Sequence, residues 1–278
     1  MQWRLLVDPP AAGAWNMAVD EALAEAVDAG ASPPVLRLYR WAPPCLSLGA
    51  SQPFEVADAK FCAARGVEVV RRPTGGRAVL HHHELTYLVA APLGQAPLGW
   101  ELQGAYAAIC GALVAGLRRL GVACELTEAA AGQKLIPPTQ PIPCFIGPAP
   151  GEIVVGKRKL VGSAMRRVGR SILQHGSILV DWDGELQAGC LGLDGDGELR
   201  AAVVTLAEAL GAPPAYGELE RALRAGFEES LGVTFGGSVL TAGEAERASV
   251  LQRARYAAPE WTVERRWATG GAILPSSR

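Results

Sequence analysis

Residues 67–91, VEVVRRPTGGRAVLHHHELTYLVAA, are the stretch that decides the fold prediction. Runs rich in valine, leucine and tyrosine at Val67–Arg71, Ala78–His81 and Leu85–Ala91 are typical of strands. The Pro-Thr-Gly-Gly segment between the first two runs predicts a turn, and a bend is expected at His82–Glu84. Strands that follow one another this closely predict a β-sheet in this part of the chain.

The rest of the chain shows strand and helix patterns without a strict alternation. Further strands are predicted at Trp3–Asp8, Val35–Trp41, Cys45–Gly49, Glu152–Val168 and Ser171–Val180. Helices are predicted at Asn16–Ala29, Pro53–Gly66, Trp100–Leu120, Leu199–Leu210, Tyr216–Leu231 and Thr241–Ala257. This order predicts the α+β class, a mixed β-sheet flanked by helices. We expect a catalytic body over residues 1–210 and a short helical C-terminal extension, residues 211–278, packed on it.

The composition excludes several classes of protein. The chain has 278 residues, a net charge of −2 and 49% hydrophobic residues, which is the balance of a globular protein. Near-neutral charge argues against nucleic-acid binding, and no apolar run reaches the ~20 residues that cross a bilayer. The six cysteines are scattered without a Cys-x-x-Cys pair. They predict reduced thiols in a cytoplasmic protein, and neither disulfides nor a zinc site.

A glycine-rich loop between Arg71 and Arg77 is the first candidate for chemistry. Gly75 and Gly76 permit backbone angles at which main-chain N–H groups can approach a ligand. Arg71, Arg72 and Arg77 offer forked donors to an anion or a polarised carbonyl. A β-turn with solvated arginines is the alternative interpretation. The loop has neither the Gly-Lys-Ser/Thr of a P-loop nor the spacing of a dinucleotide-binding turn.

Three consecutive histidines, His81, His82 and His83, raise the question of a metal site. Successive strand residues point to opposite faces, so at most His81 and His83 share a side. The His-Glu-x-x-His spacing of a helical zinc site is not present. A structural or hydrogen-bonding role is therefore favoured, and no metal is expected.

A proline-rich loop that contains Cys144 precedes two basic strands. Residues 136–151 hold six prolines, and residues 153–180 hold six lysines and arginines and no acidic residue. The basic run indicates either a solvated face or a docking surface for an acidic partner, with Arg166 and Arg170 on one face of a strand. A lone cysteine is usually a buried apolar residue, but a nearby ammonium shifts a thiol toward the nucleophilic thiolate.

Three motifs resemble the biotin/lipoate protein ligase superfamily. They are RRPTGGRAVLH (71–81) with ELTY (84–87), KLVGSA (159–164), and LQHGS (173–177). Within the superfamily, the chain is most similar to the octanoyl-carrier-protein:protein octanoyltransferases that modify the glycine cleavage H protein. The motifs occur in the family's order, and the resemblance extends from the N-terminus to about Trp261. It implies a mixed sheet flanked by helices.

The resemblance implies a role for each matching residue. Cys144 matches the cysteine that accepts the acyl group, and Lys159 matches the lysine that lowers the pKa of that cysteine. The loop that closes over the acyl carbonyl is matched by Arg71, Arg72, Thr74, Gly75, Gly76 and Arg77. The positions that line the pocket are matched by His81, Ser163, Ala164, His175 and Gly176. The chain departs from the family pattern at His82, at Met165 and at 149–151, all at the rim of the site.

The implied reaction is transfer of an octanoyl group from octanoyl-acyl carrier protein, through a cysteine thioester, to a lysine of the glycine cleavage H protein or another lipoyl domain. No cofactor is implied, because a thioester donor is already activated. The alternatives are an ATP-dependent lipoate–protein ligase, a transferase between carrier proteins, and a carrier-binding module without turnover. A ligase needs no cysteine and usually carries a larger accessory domain, so Cys144 and the short C-terminal part favour the transferase. We expect a monomer that binds neither nucleic acid nor a membrane.

Overall fold

The computed structural model describes residues 1–127 and 151–266, together with the backbone of 268–269 and 272–273. The strands are β1 (Gln2–Val7), β2 (Val35–Tyr39), β3 (Cys45–Leu48), β4 (Glu68–Arg71), β5 (Val79–His81), β6 (Glu84–Pro92), β7 (Glu125–Leu126), β8 (Ile153–Val155), β9 (Arg158–Val168), β10 (Ser171–Leu179), β11 (Thr234–Gly237), β12 (Ala268–Thr269) and β13 (Ala272–Ile273). The α-helices are α1 (Gly13–Asp28), α2 (Ala59–Ala64), α3 (Leu102–Arg119), α4 (Gly184–Cys190), α5 (Gly197–Ala202), α6 (Leu206–Leu210), α7 (Tyr216–Leu231), α8 (Ala242–Leu251) and α9 (Pro259–Thr262). A 3₁₀ turn lies at Phe54–Val56 and a π-helical turn at Gln252–Tyr256.

Eight strands form the main sheet, in the order β11-β1-β2-β6-β10-β9-β8-β7. β1 runs parallel to β11 and to β2, and the other neighbours are antiparallel. The central strands β6 and β10 are buried along almost their whole length, because packed layers cover both faces of the sheet. The predicted α+β class, with a mixed sheet flanked by helices, is confirmed.

Helices α3 and α7 cover one face of the main sheet. Leu219, Leu223 and Phe227 repeat every four residues along α7 and are fully buried in this layer. The two helices touch at glycines: a Cβ on Gly226 would lie 2.2 Å from the backbone nitrogen of Gly116. The C-terminal part thus packs on the body, and its strand β11 extends the main sheet beside β1. The division at residue 210 stays a prediction.

The opposite face carries α1 and a second sheet in the order β4-β3-β5. Cys45 of β3 and Val70 of β4 pack with Met17 and Leu23 of α1 in one apolar cluster. The glycine-rich loop connects β4 to β5, and its Thr74 hydrogen-bonds to β10. The small sheet therefore holds that loop against the main sheet.

Two predicted helices are interrupted by internal caps. The predicted helix Pro53–Gly66 is a 3₁₀ turn followed by α2, because the Asp58 carboxylate accepts a hydrogen bond from the amide of Phe61 and starts a new helix. Thr205 caps α6 in the same way and divides the predicted helix Leu199–Leu210. Polar cap residues inside an apolar pattern mark both breaks.

Two strand predictions also change. The segment Glu152–Val168 is a hairpin of β8 and β9, which turns at Gly156 with φ of 62°. Strand β11 was not predicted, because two of its four residues are glycine, which weakens a strand pattern. Among the described residues, no helix is long and apolar enough to cross a bilayer.

Candidate active site

A cavity of about 420 Å³, counting its open mouth, lies between α1, the small sheet, and strands β9 and β10. Seven of the predicted site residues line it: Arg72, Gly76, His81, Ser163, Ala164, His175 and Gly176. The other lining residues are Met17, Tyr39, Trp41, Ser47, Val79, Thr86, Gly162 and Ser177. The fold therefore brings three separate motifs to one cavity.

Glycine at position 176 makes room where β9 and β10 pair. A Cβ there would lie 2.6 Å from the carbonyl oxygen of Gly162 and 2.6 Å from the ring of Tyr87. Both distances are too short for a real contact, so any larger residue would push the two strands apart. The hydroxyl of Tyr87 contacts Ser163 Oγ at 2.7 Å and holds that side chain in place. Close packing of β9 against β10 is therefore the physical reason for glycine at position 176.

His81 forms part of the cavity wall on the small sheet. Its ring stacks on Trp41 with centroids 4.0 Å apart, and its Nε2 lies 2.8 Å from Ser47 Oγ. Burial outweighs the opposing effect of Glu84 and lowers the pKa of His81, so the imidazole is neutral at pH 7. The expectation of a hydrogen-bonding role fits this environment.

The rings of His82 and His83 lie against each other at an angle of 40°, with centroids 3.8 Å apart. Neither lines the cavity; both border a neighbouring groove with Arg40 and Tyr216. Within the part of the chain that the structure describes, no group of three or more His, Cys, Asp or Glu side chains is placed to hold a metal ion.

His175, on β10, lies at the centre of a buried polar chain. Its Nδ1 is 2.9 Å from Asp20 Oδ2, and its Nε2 is 2.7 Å from Thr74 Oγ1. Asp20 also accepts hydrogen bonds from Arg37 Nη1 and from the Tyr39 hydroxyl, each at 2.8 Å. Three segments distant in sequence, namely α1, the glycine-rich loop and β10, are joined by these contacts.

The arginines of the glycine-rich loop have different places in the structure: Arg72 lines the cavity and Arg71 does not. Arg71 is fully buried and donates to the carbonyl oxygens of Gly49, Gln52 and Thr262. Burial, together with Arg265 and Arg72 nearby, lowers the pKa of Arg71 to about 10. Arg71 does not line the cavity and ties the C-terminal segment to the loop after β3.

Arg72 does line the cavity. Its guanidinium donates to the carbonyl oxygens of Ser47, Gly75 and Arg77, at 2.9, 2.9 and 2.6 Å. It therefore shapes the loop that it belongs to. Thr74, Gly75 and Arg77 lie outside the lining: Thr74 is buried against His175, Gly75 is exposed and Arg77 is half-buried.

Of the two predicted catalytic residues, the structure describes Lys159. It is buried on β9, and its Nζ lies 2.5 Å from Glu152 Oε1. Lys159 is not part of the cavity lining. Cys144 lies outside the described residues, so its place relative to Lys159 and to the cavity stays a prediction.

Asp20 is the functional candidate that sequence reasoning missed. It lies on the predicted helix over 16–29, where acidic residues are expected to face solvent. Asp20 is instead completely buried. A signal was present: Asn16 and Asp20 are four residues apart, on the face that also carries Met17 and Leu23. Arg37, in the middle of an otherwise apolar strand, is the buried cation that pairs with Asp20.

Comparisons with known proteins agree with this architecture. The sequence profile described as "Lipoyl protein ligase A/B catalytic domain" matches residues 12–228. A protein from Kyrpidia tusciae named octanoyltransferase LipM is 41% identical over 95% of this chain and 99% of its own length. A protein of the same name from Symbiobacterium thermophilum is 39% identical over 95% of this chain and 98% of its own.

Solved structures share the fold. Lipoate-protein ligase A bound with ATP superposes with a TM-score of 0.80 at 24% identity, over 95% of this chain and 99% of that one. Protein Ta0514 from T. acidophilum, with bound lipoic acid, gives a TM-score of 0.77 at 24% identity, over 95% and 100% of the two chains.

Proposed function

The chain belongs to the lipoyl protein ligase A/B catalytic domain family, with the LipM octanoyltransferases as full-length relatives, and on that premise we propose that it is an octanoyltransferase. It transfers an octanoyl group from octanoyl-acyl carrier protein to the lysine of a lipoyl-type carrier, of which the glycine cleavage H protein is our first candidate. The observation that carries the proposal is the cavity, which combines apolar walls at Met17, Trp41 and Val79 with a few polar groups. That mixture suits an acyl chain with a reactive carbonyl.

The nucleophile in this proposal is Cys144. The five cysteines that the structure describes are all buried, and none lines the cavity. Burial raises the pKa of Cys110 to about 12 and that of Cys124 to about 11, and it also raises that of Cys45. Thiols held in the protonated form are poor nucleophiles. This leaves Cys144 as the candidate for acylation.

Cys62 and Cys190 form a separate pair in the core of the small sheet. A hydrogen bond between the two thiols lowers the pKa of Cys62 and raises that of Cys190. Their neighbours in that core are apolar residues such as Leu46 and Leu80. Neither of the two thiols lines the cavity.

The reaction then has two steps. The Cys144 thiolate attacks the carbonyl carbon of the donor thioester; a C–S bond forms to the enzyme and the carrier's sulfur leaves as a thiolate. The lysine amine of the acceptor next attacks the acyl-enzyme, and an amide replaces the thioester. Lys159 supplies the cation that stabilises the Cys144 thiolate in this scheme. No ATP is needed, because both steps exchange an acyl group that is already activated.

The basic segment after Ile153 supports an acidic carrier as partner. Lys157, Arg167 and Arg170 are exposed, whereas Arg166 is half-buried and donates to the carbonyl of Pro73. Arg170 lies in the turn after β9, so the expectation that it shares a strand face with Arg166 is wrong. Exposed cations of this kind steer the encounter with an acidic protein.

Two assays on one preparation test the proposal against the ligase alternative. The first supplies octanoyl-acyl carrier protein and the H protein without ATP or magnesium, and we expect octanoylated H protein by intact mass. The second supplies free octanoate or lipoate with ATP and magnesium, and we expect little product. Robust use of the free acid that survives Cys144→Ser would place the chain among the ligases.

A further inference from the structure

The cavity wall contains a buried hydroxyl group that the protein leaves unpaired. Ser177 lies on β10, is 1% exposed and lines the cavity. It is the cross-strand neighbour of Thr86 on β6 and of Gly162 on β9, and both of these residues line the same cavity. No described side chain or backbone group lies within hydrogen-bond distance of Ser177 Oγ. Because buried polar groups are nearly always hydrogen-bonded, this hydroxyl points to a partner on a ligand of the cavity.

The other polar side chains in the described lining of the cavity have partners within the protein. Ser47 Oγ, for example, lies 2.8 Å from His81 Nε2. Protein partners are likewise present for Tyr39, Trp41, Arg72, Thr86, Ser163 and His175. Ser177 therefore differs from its polar neighbours in that its hydrogen-bonding capacity is wholly unused.

The exposure of the lining shows where a ligand enters. Gly76 is exposed and Ser163 and Ala164 are half-buried, whereas Met17 and Ser177 are fully buried. A thioester carried on a protein must keep its carbonyl near the exposed part, because the carrier is far too large for a cavity of about 420 Å³. The acyl chain then occupies the buried part. An octanoyl chain has only CH₂ and CH₃ groups there, so it leaves the hydroxyl of Ser177 unpaired.

We propose that the cavity also accepts acyl chains that carry a hydroxyl group, and that hydroxyacyl carrier proteins are a further class of donor. This inference rests on the proposed octanoyl transfer. A hydroxyl both donates and accepts, so Ser177 and a hydroxyl on the chain can pair in either direction. The pairing offsets the cost of moving the chain hydroxyl out of water.

The chain hydroxyl takes no part in the bond changes of the transfer. As with octanoyl, the thioester C–S bond breaks, the amide C–N bond forms, and the lysine amine loses one proton. The hydroxyl stays on the chain and appears unchanged in the product, which therefore differs from the octanoyl product by one oxygen atom.

A competition between donors on the full chain tests the proposal. Octanoyl-acyl carrier protein is mixed with an equal amount of its 3-, 5- or 8-hydroxyoctanoyl counterpart, and intact mass measures the two products on the H protein. The hydroxyl is moved along the chain because its depth decides which isomer meets Ser177. Ser177→Ala is the test variant. Ser249→Ala is the matched control, since Ser249 lies on α8, outside the cavity lining, and donates to the carbonyl of Ala245.

We expect the wild-type protein to use at least one hydroxy isomer within about tenfold of octanoyl, and Ser177→Ala to lower the share of that isomer by about tenfold or more. Ser249→Ala should keep the wild-type ratio. Discrimination of about 10²-fold against every isomer in the wild type would overturn the proposal. An unchanged ratio in Ser177→Ala would also overturn it and would assign the hydroxyl a water molecule as partner. A wild-type protein that transfers no octanoyl group would instead contradict the proposed function.

Unfolding in urea gives a second readout that needs no donor. Ser177→Ala should leave the unfolding midpoint unchanged or raise it, because the free protein loses no hydrogen bond. Ser47→Ala should lower the midpoint, because His81 and Arg72 each lose a partner. A Ser177→Ala variant as destabilised as Ser47→Ala would mean that the protein itself satisfies the Ser177 hydroxyl, and the proposal would fall.

Discussion

His81 and His175 reach the same cavity from two different sheets, and their surroundings differ. Both are buried, and each has a ring nitrogen within 2.8 Å of a hydroxyl, Ser47 for His81 and Thr74 for His175. His175 also has the Asp20 carboxylate at 2.9 Å. The two histidines therefore differ in the group that contacts the second nitrogen of each ring.

His81 is held by ring stacking, whereas His175 is held by hydrogen bonds at both ring nitrogens. The ring of His81 lies against Trp41 with an interplanar angle of 18°, and burial lowers its pKa. The ring of His175 lies between Asp20 and Thr74, and Asp20 is itself balanced by Arg37. The stacked ring of His81 shapes the cavity wall, whereas the ring of His175 joins α1 and the glycine-rich loop to β10.

The largest expected effect comes from Cys144→Ser, because it removes the thiol that would form the acyl-enzyme. A hydroxyl ionises far less than a thiol at pH 7, so we expect neither acyl-enzyme nor transfer. Peptide mass mapping after incubation with octanoyl-acyl carrier protein locates the adduct in the wild type. An adduct on Cys110 or another buried cysteine would contradict the assignment of Cys144.

A direct contrast of His81→Gln with His175→Gln sharpens the comparison. For His175→Gln we expect a loss of roughly 1–3 kcal/mol in the free energy of unfolding in urea, because Asp20 and Thr74 each lose a buried hydrogen-bond partner. For His81→Gln we expect a smaller loss of stability and a higher KM for the octanoyl donor, because the substitution alters the wall of the cavity. Equal losses of stability in the two variants would erase the distinction between the histidines.

Gly176→Ala tests the backbone next to His175. The added Cβ would meet the carbonyl of Gly162 at 2.6 Å, so we expect a loss of roughly 1–3 kcal/mol in the free energy of unfolding in urea. Gly104→Ala is the matched control: it lies in α3 with no neighbouring atom within 4 Å. There alanine should stabilise by up to about 1 kcal/mol. A neutral Gly176→Ala would mean that β9 and β10 can separate at this point without cost.

The smallest expected effect is the pH dependence that His81 contributes to stability. The pKa of His81 in the folded protein is below the unfolded value of 6.5. The unfolded chain therefore binds more protons than the folded one at pH values between these two pKa values. Its contribution is fully present above pH 6.5 and is lost as the pH falls toward the folded pKa. Urea unfolding across this range should show a shallower decline for His81→Gln than for the wild type. Parallel curves for the two proteins would contradict the assignment of a neutral, buried His81.

Local patterns were enough to predict much of the scaffold. The predicted helix Tyr216–Leu231 agrees with α7 to the residue, because its apolar period is regular and no cap residue interrupts it. The helix predicted over Pro53–Gly66 is broken, because Asp58 competes for a backbone amide inside the pattern. Hydrophobic period predicts where an element lies, and single polar side chains decide where it ends.

For the site, the motifs predicted several residues that line the cavity, but not what each residue of a motif contacts. Arg71 and Arg72 are adjacent in one motif, yet one anchors the C-terminal segment and the other lines the cavity. Neighbouring residues of an extended chain point in opposite directions, and only the packed layers on each side determine what each one meets. The helix pattern did not reveal Asp20 as a site residue, because an acidic residue in a helix is usually exposed to solvent.

By itself, the sequence determined the class of fold, the order of most strands and helices, and the motifs that would carry a site. Those properties follow from hydrophobic period and turn chemistry, which act between residues close in the chain. The tertiary structure alone decided that Asp20 meets His175 across 155 positions and that His175 meets Thr74 across 101. Such contacts depend on strand pairing and helix packing over the whole molecule, because burial of each polar group is tolerated only when a distant partner satisfies it.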